Sequence, residues 1–159
     1  MLERFGSTKD LVEMGQIAKP SLLLPAEGSE LEKLAALAEA AVTQGKNHDH
    51  RRSFQLAKAM AEYRCGRFAE SATFAKQVLE SRSRVTYREI QANAILAMAE
   101  QRLTHTREAH SALARADALA ADWPKVDGSD PNVDFGEEWS NTLMGTFLLR
   151  EAHALPGEN

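Results

Sequence analysis

The segment YRCGRFAESA, residues 63–72, decides the fold that we expect for this chain. It predicts one helix that ends just before Gly66 and a second that begins just after it, because glycine readily adopts the left-handed backbone conformation that ends many helices. The segment QRLTHTREAH, residues 101–110, repeats the pattern 38 residues later, with Thr104 in the place of Gly66. Two helix–turn–helix units at such a fixed offset indicate a helical repeat protein.

Length and composition agree with a single helical domain over residues 1–159. A chain of this length can bury a substantial core. Apolar residues make up 43% of it and aromatic residues only 6%, which favours closely packed helices over a β-sandwich. We therefore predict an all-α fold.

Charge and cysteine content narrow the environment and the partners. The net charge of −4 argues against nucleic acid as the main partner, because phosphate binding needs an excess of lysine and arginine. The single cysteine, Cys65, excludes an internal disulfide framework and fits a reducing compartment. No apolar run reaches membrane-spanning length, and the N-terminal residues lack the apolar core of a secretory signal. We expect a cytoplasmic protein that binds neither nucleic acid nor membrane.

Hydrophobic periodicity divides the chain into three helical hairpins and a closing helix. Ser7 or Thr8 is the expected cap of the first helix, and Pro20 should kink or break that helix because proline removes a backbone donor. Ser29 and Glu32 form a capping box ahead of the second helix. The predicted hairpins span about 9–45, 50–82 and 86–121, and the closing helix spans about 135–155.

Two of these helices have distinctive apolar patterns. The helix that begins at Thr86 is apolar nearly all round, so it should lie centrally. The closing helix, with Asp134 and Glu137 as caps, carries one apolar face. We expect this face to cover the end of the array, which would otherwise expose apolar surface. The face consists of Trp139, Leu143, Phe147 and Leu148.

Both copies of the turn resemble tetratricopeptide repeats. Gly66 matches the turn glycine of that family, and Tyr63 and Phe68 match its flanking aromatic residues. Gln55 and Lys58 depart from it, since they stand where the family has large apolar residues. The resemblance covers about Phe54 to Leu119 and implies a right-handed α-α superhelix of about three hairpins plus a C-terminal capping helix. Small residues suit the helix crossings of such hairpins, and they are Ala59, Ser71, Ala72, Ala97, Ala109 and Ala116.

A narrower resemblance extends to the ends of the chain, where it is similar to the C-terminal repeat regions of large bacterial signalling proteins. In those proteins the repeats follow a serine/threonine kinase or β-propeller module. This chain has no glycine-rich phosphate loop and no His-Arg-Asp catalytic loop, so the expectation is a piece of a longer protein. The matching segments are LERFG (2–6), AKPSLLLP (18–25), RLTHTREA (102–109) and LLREA (148–152).

No motif is specific enough to predict an enzyme, a metal or a cofactor. The segment 130–134 resembles a calcium loop only superficially, because Phe135 stands where that loop needs glycine. His48 and His50 lie two residues apart with no third ligand nearby in sequence, which is too few for zinc. Cys65 lies between two arginines, but no histidine is placed to complete a catalytic set. We expect a non-catalytic chain.

The family resemblance implies a protein–protein interaction module, which binds a peptide or partner domain in a concave groove lined by the first helix of each hairpin. Met60 and Met98 should stack one repeat apart, as should Arg64 and Arg102. An acidic segment or a free C-terminal carboxylate is then the expected ligand, since arginine binds carboxylates with two parallel hydrogen bonds. The expected groove residues are Ser53, Leu56, Met60, Tyr63, Arg64, Gln91, Ala94, Met98, Gln101 and Arg102.

Other readings of the same residues stay open at this point. The array could be structural and self-associate into a homo-oligomer, or it could regulate in cis an enzyme module that this chain lacks. The methionines could fill a core, as methionines at helical spacing often do. The two arginines could be paired with Glu62, Glu100 or other acids at the surface, where such pairs contribute little.

Overall fold

The computed structural model describes residues 10–23, 27–80, 86–123 and 139–155. These ranges contain seven α-helices and no β-strand, which confirms the predicted all-α class for this part of the chain. None of the described helices is long and apolar enough to cross a membrane. The helices are α1 (Leu11–Ser21), α2 (Gly28–Gln44), α3 (Arg51–Arg64), α4 (Phe68–Leu79), α5 (Thr86–Arg102), α6 (Thr106–Leu119) and α7 (Trp139–Ala154).

Consecutive helices pack against one another, and each odd-numbered helix also packs against the next odd-numbered one. Helices α3 and α5 consequently lie at the centre, where residues 54–63 and 90–100 are buried without interruption. The prediction that α5 lies centrally is confirmed. The equal burial of α3 is not apparent from the sequence, because Gln55, Lys58 and Glu62 interrupt its apolar pattern.

Pro20 lies in the last turn of α1, and the helix ends one residue later, at Ser21. Proline is tolerated poorly inside a helix because it lacks the N–H that would donate to the carbonyl four residues earlier. The N–H of Leu22 closes the helix by donating to the Ala18 carbonyl at 3.0 Å. The carbonyls of Leu22 and Leu23 lie past the helix end, so donors from other parts of the chain can reach them.

The predicted N-terminal caps of the first and last helices lie outside the described residues: they are Ser7, Thr8, Asp134 and Glu137. At α1 the structure places a different residue in that role. The Asp10 Oδ1 atom accepts two backbone N–H groups of the first turn, at 2.8 and 3.2 Å. Aspartate is among the strongest helix caps, so the correction keeps the chemistry and shifts the position.

Helix α2 begins without the predicted capping box. Gly28 is its first residue, and Glu27 occupies the cap position without a side-chain hydrogen bond. Ser29 therefore lies inside the first turn, where it cannot act with Glu32 as a reciprocal cap. The predicted end of the helix is confirmed, since Gly45 follows the last helical residue.

Gly45 is required by packing rather than by backbone conformation. Its φ of −90° is open to any residue. A Cβ atom at this position, however, would lie 2.5 Å from the Phe54 ring of α3. The glycine therefore lets the start of the central helix approach the end of α2.

The two repeated turns have the same backbone structure. Gly66 has φ of 75° and Thr104 has φ of 61°, so both adopt the predicted left-handed conformation. In each turn the N–H of the next residue donates to a carbonyl five residues earlier, at 2.9 Å. This hydrogen bond is characteristic of the Schellman motif, which satisfies carbonyls at a helix end. The repeat deduced from the sequence is thus present in the backbone, with threonine doing at the second turn what glycine does at the first.

The small residues predicted at the helix crossings are buried there. In the first repeated hairpin, the Ser71 hydroxyl of α4 donates to the Ala59 carbonyl of α3 at 2.8 Å. In the second, the equivalent pair is Ala97 and Ala109, 4% and 3% exposed. Close approach of the two helices in each hairpin therefore depends on the absence of bulk at matching positions.

Helix α7 buries a face that differs from the predicted one. Leu148 is buried as expected, but Trp139 and Phe147 remain 58% and 50% exposed. The helix instead turns Gly145 towards the protein, where a Cβ atom would lie 2.6 Å from the ring of Trp123. The buried face of α7 is therefore the one on which a glycine makes room for an indole ring, and not the one with the most hydrophobic side chains.

Candidate interaction site beneath helix α7

The ten residues predicted to line a groove lie along α3 and α5, and most of them are covered by other parts of the protein. Ser53, Arg64 and Gln101 are half-buried, and Arg102 is exposed. A ligand would reach the remaining ones only after the covering segments move, so their role in binding stays a prediction. These buried residues are Leu56, Met60, Tyr63, Gln91, Ala94 and Met98.

Helix α7 supplies part of this cover. Leu148 is 1% exposed and lines the same small space as Met60 and Met98. Leu22, from the end of α1, also lines it. The space between these side chains is too small to admit a water molecule. The two methionines therefore lie one repeat apart on one surface, as predicted, but in this structure a helix of the same chain is seated on them.

Arg64 holds the junction of α1, α3 and α7. Its Nε and Nη2 atoms donate to the carbonyls of Leu22 and Leu23, each at 2.8 Å. The same guanidinium forks onto the carboxylate of Glu151, with Nη2 donating to Oε2 at 2.6 Å and Nη1 donating to Oε1. Such bidentate, charge-assisted pairs are the strong ones. The Arg64 side chain is 9% exposed and that of Glu151 is 31% exposed, so solvent reaches the pair from the Glu151 side.

This junction can be traced back to the sequence of α1. Helix α1 ends one residue after Pro20, so the carbonyls of Leu22 and Leu23 take no part in helical hydrogen bonds. Arg64 donates hydrogen bonds to both carbonyls, and the remaining edge of its planar guanidinium faces the carboxylate of Glu151. Arg102, the equivalent residue of the next repeat, is exposed, so the two arginines expected to stack are in different surroundings.

Glu62 is the buried acid of the first repeated hairpin, with 3% exposure. Its carboxylate pairs with Lys58 and Arg67, and not with Arg64 as one interpretation of the sequence allowed. Burial opposes ionisation of Glu62, but the hydrogen bonds from Arg67 and Lys58 outweigh it and lower the pKa of the carboxyl. Lys58 also pairs with Glu39 of α2 at 2.6 Å, so one buried ammonium links α2 and α3.

Glu100 occupies the same position in the second repeated hairpin and is 2% exposed. It accepts from Lys76 at 2.7 Å and lies 2.7 Å from the His105 Nδ1 atom. Burial again opposes ionisation, and the contacts with Lys76 and His105 outweigh it, so the pKa of Glu100 is lowered. In both hairpins the buried acid therefore contacts the side chain that follows the left-handed residue of the turn.

Sequence reasoning missed these buried ionic contacts, although part of the signal was present. Glu62 and Glu100 stand at the repeat offset, and Lys58 lies one helical turn before Glu62, a spacing at which opposite charges meet. The Arg64–Glu151 pair had no such signal, because its partners lie 87 positions apart.

Two polar surface depressions are the other candidate sites among the described residues. Side chains of both charges line each of them, and neither shows a preference for one ligand chemistry. Across the part of the chain that the structure describes, no three His, Cys, Asp or Glu side chains come together to hold a metal ion. The charged lining residues include Lys76, Glu100, Arg107, Glu108 and Arg115 in one, and Asp49, Arg51, Arg52 and Glu80 in the other.

Comparison of the chain with protein-family models, with curated proteins and with solved structures gave no significant match. The tetratricopeptide interpretation therefore depends on the sequence motif, and the surface formed by α3 and α5 has to be interpreted from its own chemistry.

Proposed function

We propose that this chain is a non-catalytic, cytoplasmic protein-interaction module of the tetratricopeptide type, with its repeats arranged as a right-handed superhelix. Its ligand-binding surface is the face of α3 and α5 that carries Met60, Met98 and Arg64. A peptide or partner domain with apolar and acidic side chains is the ligand. We call this face the docking face.

The observation that carries the proposal is that helix α7 of the same chain packs on the docking face in this structure. Leu148 of α7 contacts the space lined by Met60 and Met98, and Glu151 meets Arg64. Methionine side chains adapt to irregular apolar partners, and arginine orients a carboxylate through two hydrogen bonds. The same chemistry would hold an apolar and acidic segment from another molecule.

Self-association is the second candidate function, and a specific observation favours it. Trp139 and Phe147, the two large apolar side chains exposed on the described surface, both lie on α7. Exposed aromatic residues on one helix are a common element of contacts between copies. Sedimentation equilibrium separates this function from the first, because self-association raises the average mass with concentration.

Peptide selection tests the proposed function. Peptides displayed on phage are selected against the immobilised full-length chain, and the enriched peptides are then titrated against variants. We expect enriched peptides to combine apolar and acidic residues. Their affinity should fall at least tenfold for Met60→Gln and for Met98→Gln, because an amide in the apolar contact forfeits burial and demands a hydrogen-bond partner.

Thr73→Ala provides the matched control, since Thr73 is an exposed residue of α4 away from the docking face. Its affinity for the peptides should equal that of the wild type. Circular dichroism must show unchanged helicity in every variant. Peptides that bind all four proteins equally would contradict the proposal.

A further inference from the structure

Helix α7 fits the docking face imperfectly. Its two largest apolar side chains, Trp139 and Phe147, are half or more exposed, while Met144, Leu148 and Gly145 are on its buried side. A helix that formed a permanent part of the core would be expected to bury its aromatic residues, which bring the most apolar area. The seated surface of α7 therefore leaves out the two side chains that would bury the most apolar area.

A polar mismatch lies under the same helix. Gln91 is fully buried, and its Nε2 atom donates to the carbonyl of Asn141 at 2.7 Å. Its Oε1 atom has no hydrogen-bond partner among the described residues. The hydrogen bond to Asn141 helps to hold α7, but a buried acceptor without a partner costs free energy and offsets part of that gain.

At the charged end of the docking face, by contrast, the Arg64 side chain is already held in the orientation that binds a carboxylate. The carbonyls of Leu22 and Leu23 fix the Arg64 guanidinium before any carboxylate arrives, because they belong to the end of α1 and not to α7. Glu151 then completes the guanidinium's hydrogen bonds. A preorganised arginine with a carboxylate placed on it is a built recognition site.

We propose that α7 is a replaceable occupant, and that the ligand of the docking face is an amphipathic helix with a leucine followed three positions later by a glutamate. This inference rests on the proposed function and names its ligand class. The pattern is that of Leu148 and Glu151, which lie on one side of α7 one turn apart. A partner helix with the same pair binds by displacing α7.

Competition between α7 and the partner sets the affinity of the docking face. A tethered helix is present at high effective concentration, so a free helix binds the intact chain weakly. The apparent dissociation constant is the intrinsic one divided by the fraction of molecules whose face is open. Loosening α7 without altering the face should therefore strengthen binding of a free helix.

The test uses a fluorescein-labelled peptide with the sequence of residues 139–155 and the full-length chain. In Glu151→Gln the tethered helix loses its charge-assisted contact while Arg64 is unchanged. We expect this variant to bind the peptide about tenfold more tightly than the wild type does, by fluorescence anisotropy. The same peptide with glutamine in place of its own glutamate should lose about tenfold in affinity for that variant.

Glu108→Gln is the matched control, since it removes an exposed carboxylate from α6 and should leave peptide affinity at the wild-type value. Gly145→Ala provides a second way to loosen α7, because its methyl group collides with the Trp123 ring. Hydrogen exchange over residues 139–154 reports in each variant whether α7 has left the face.

Two results would overturn the inference. One is a loosened α7, seen by hydrogen exchange in either variant, with no gain in peptide affinity. The other is equal binding of the glutamate and glutamine peptides to Glu151→Gln. Either result leaves the proposed function intact if peptides selected by phage display still depend on Met60 and Met98.

Discussion

The hairpins α3–α4 and α5–α6 share a backbone and differ in the side chains that stabilise it. Each has a left-handed residue in its turn, Gly66 in one and Thr104 in the other. Each also buries a glutamate in the last turn of its first helix. The backbone motif therefore persists when the residue best suited to it, glycine, is replaced by one that adopts the conformation with strain.

Glu62 has one buried cation beside it, Lys58, and one exposed cation, Arg67, whereas both cations beside Glu100 are exposed. The Lys58 side chain, which pairs with Glu62, is 9% exposed, whereas the Lys76 side chain, which pairs with Glu100, is 55% exposed. A buried cation that loses its acid cannot regain its hydration, but an exposed one can. Removing the buried carboxylate should therefore cost more free energy of unfolding in the first of these hairpins than in the second.

Acid should affect both hairpins together and produce the largest change. The pKa of Glu62 and that of Glu100 are lowered in the folded protein, where contacts with cations outweigh burial. The pKa of Glu39 is also lowered, chiefly by its hydrogen bond from Lys58. The unfolded chain therefore takes up protons first as pH falls. The stabilisation should be complete above about pH 4.3, the ordinary glutamate value, and should be lost progressively below it.

Urea unfolding at a series of pH values between 7 and 3 measures this loss. The double variant Glu62→Gln with Glu100→Gln is the control, and its free energy of unfolding should fall less steeply below about pH 4.3. A slope equal to that of the wild type would show that these two carboxyls do not carry the acid sensitivity.

Single substitutions should separate the two hairpins. Glu62→Gln leaves the buried Lys58 ammonium with only Glu39 as an acidic partner. Because a buried charge that loses a partner is costly, the variant should lower the free energy of unfolding by about 3 kcal/mol. Glu100→Gln should cost only about 1 kcal/mol, because Lys76 and His105 are more than half exposed and return to water. Urea unfolding at neutral pH gives both values.

The exposed acid Glu32 of α2 supplies the reference, since Glu32→Gln should change stability by less than about 0.5 kcal/mol. Equal losses for the two buried glutamates would refute the idea that the exposure of the cation decides the cost.

Exchanging residues at the turns should give smaller effects than Glu62→Gln, with opposite signs. Gly66→Ala should lower the free energy of unfolding by about 1–2 kcal/mol through backbone strain alone, as no atom lies within 4 Å of the added methyl group. Thr104→Gly relieves the corresponding strain at the second turn and should raise it by about 0.5–1 kcal/mol. Thermal unfolding of the two variants shows both signs, and a Thr104→Gly variant less stable than the wild type would contradict the interpretation of the threonine as strained.

The parts of the fold that the sequence predicts well are those whose causes are local. A left-handed turn depends on a few neighbouring residues, so Gly66 marked one and the repeat offset marked Thr104 as its equivalent. The caps were less predictable, because several residues near a helix start can serve, as Asp10 does in place of Ser7 or Thr8.

The candidate site was predictable only in part, for a physical reason. The sequence placed Met60, Met98 and Arg64 on one surface, since helical spacing and the repeat offset are sufficient for that. It did not show that Leu148 and Glu151 would be seated there, because which segment covers a face depends on contacts between distant parts of the chain. Hydrophobicity even pointed to the wrong face of α7, towards Trp139 and Phe147 instead of Gly145.

Because Trp123 contacts Gly145, the fluorescence of Trp123 should report the position of α7. The chain has two tryptophans, and the other, Trp139, is 58% exposed, so its emission already reflects water. Trp123 packs against the backbone of α7 and passes into a more aqueous setting when that helix departs. A Trp139→Phe chain therefore carries a single tryptophan. A shift of its fluorescence to longer wavelength, excited selectively over the two tyrosines, follows the release of the helix in real time and without a label.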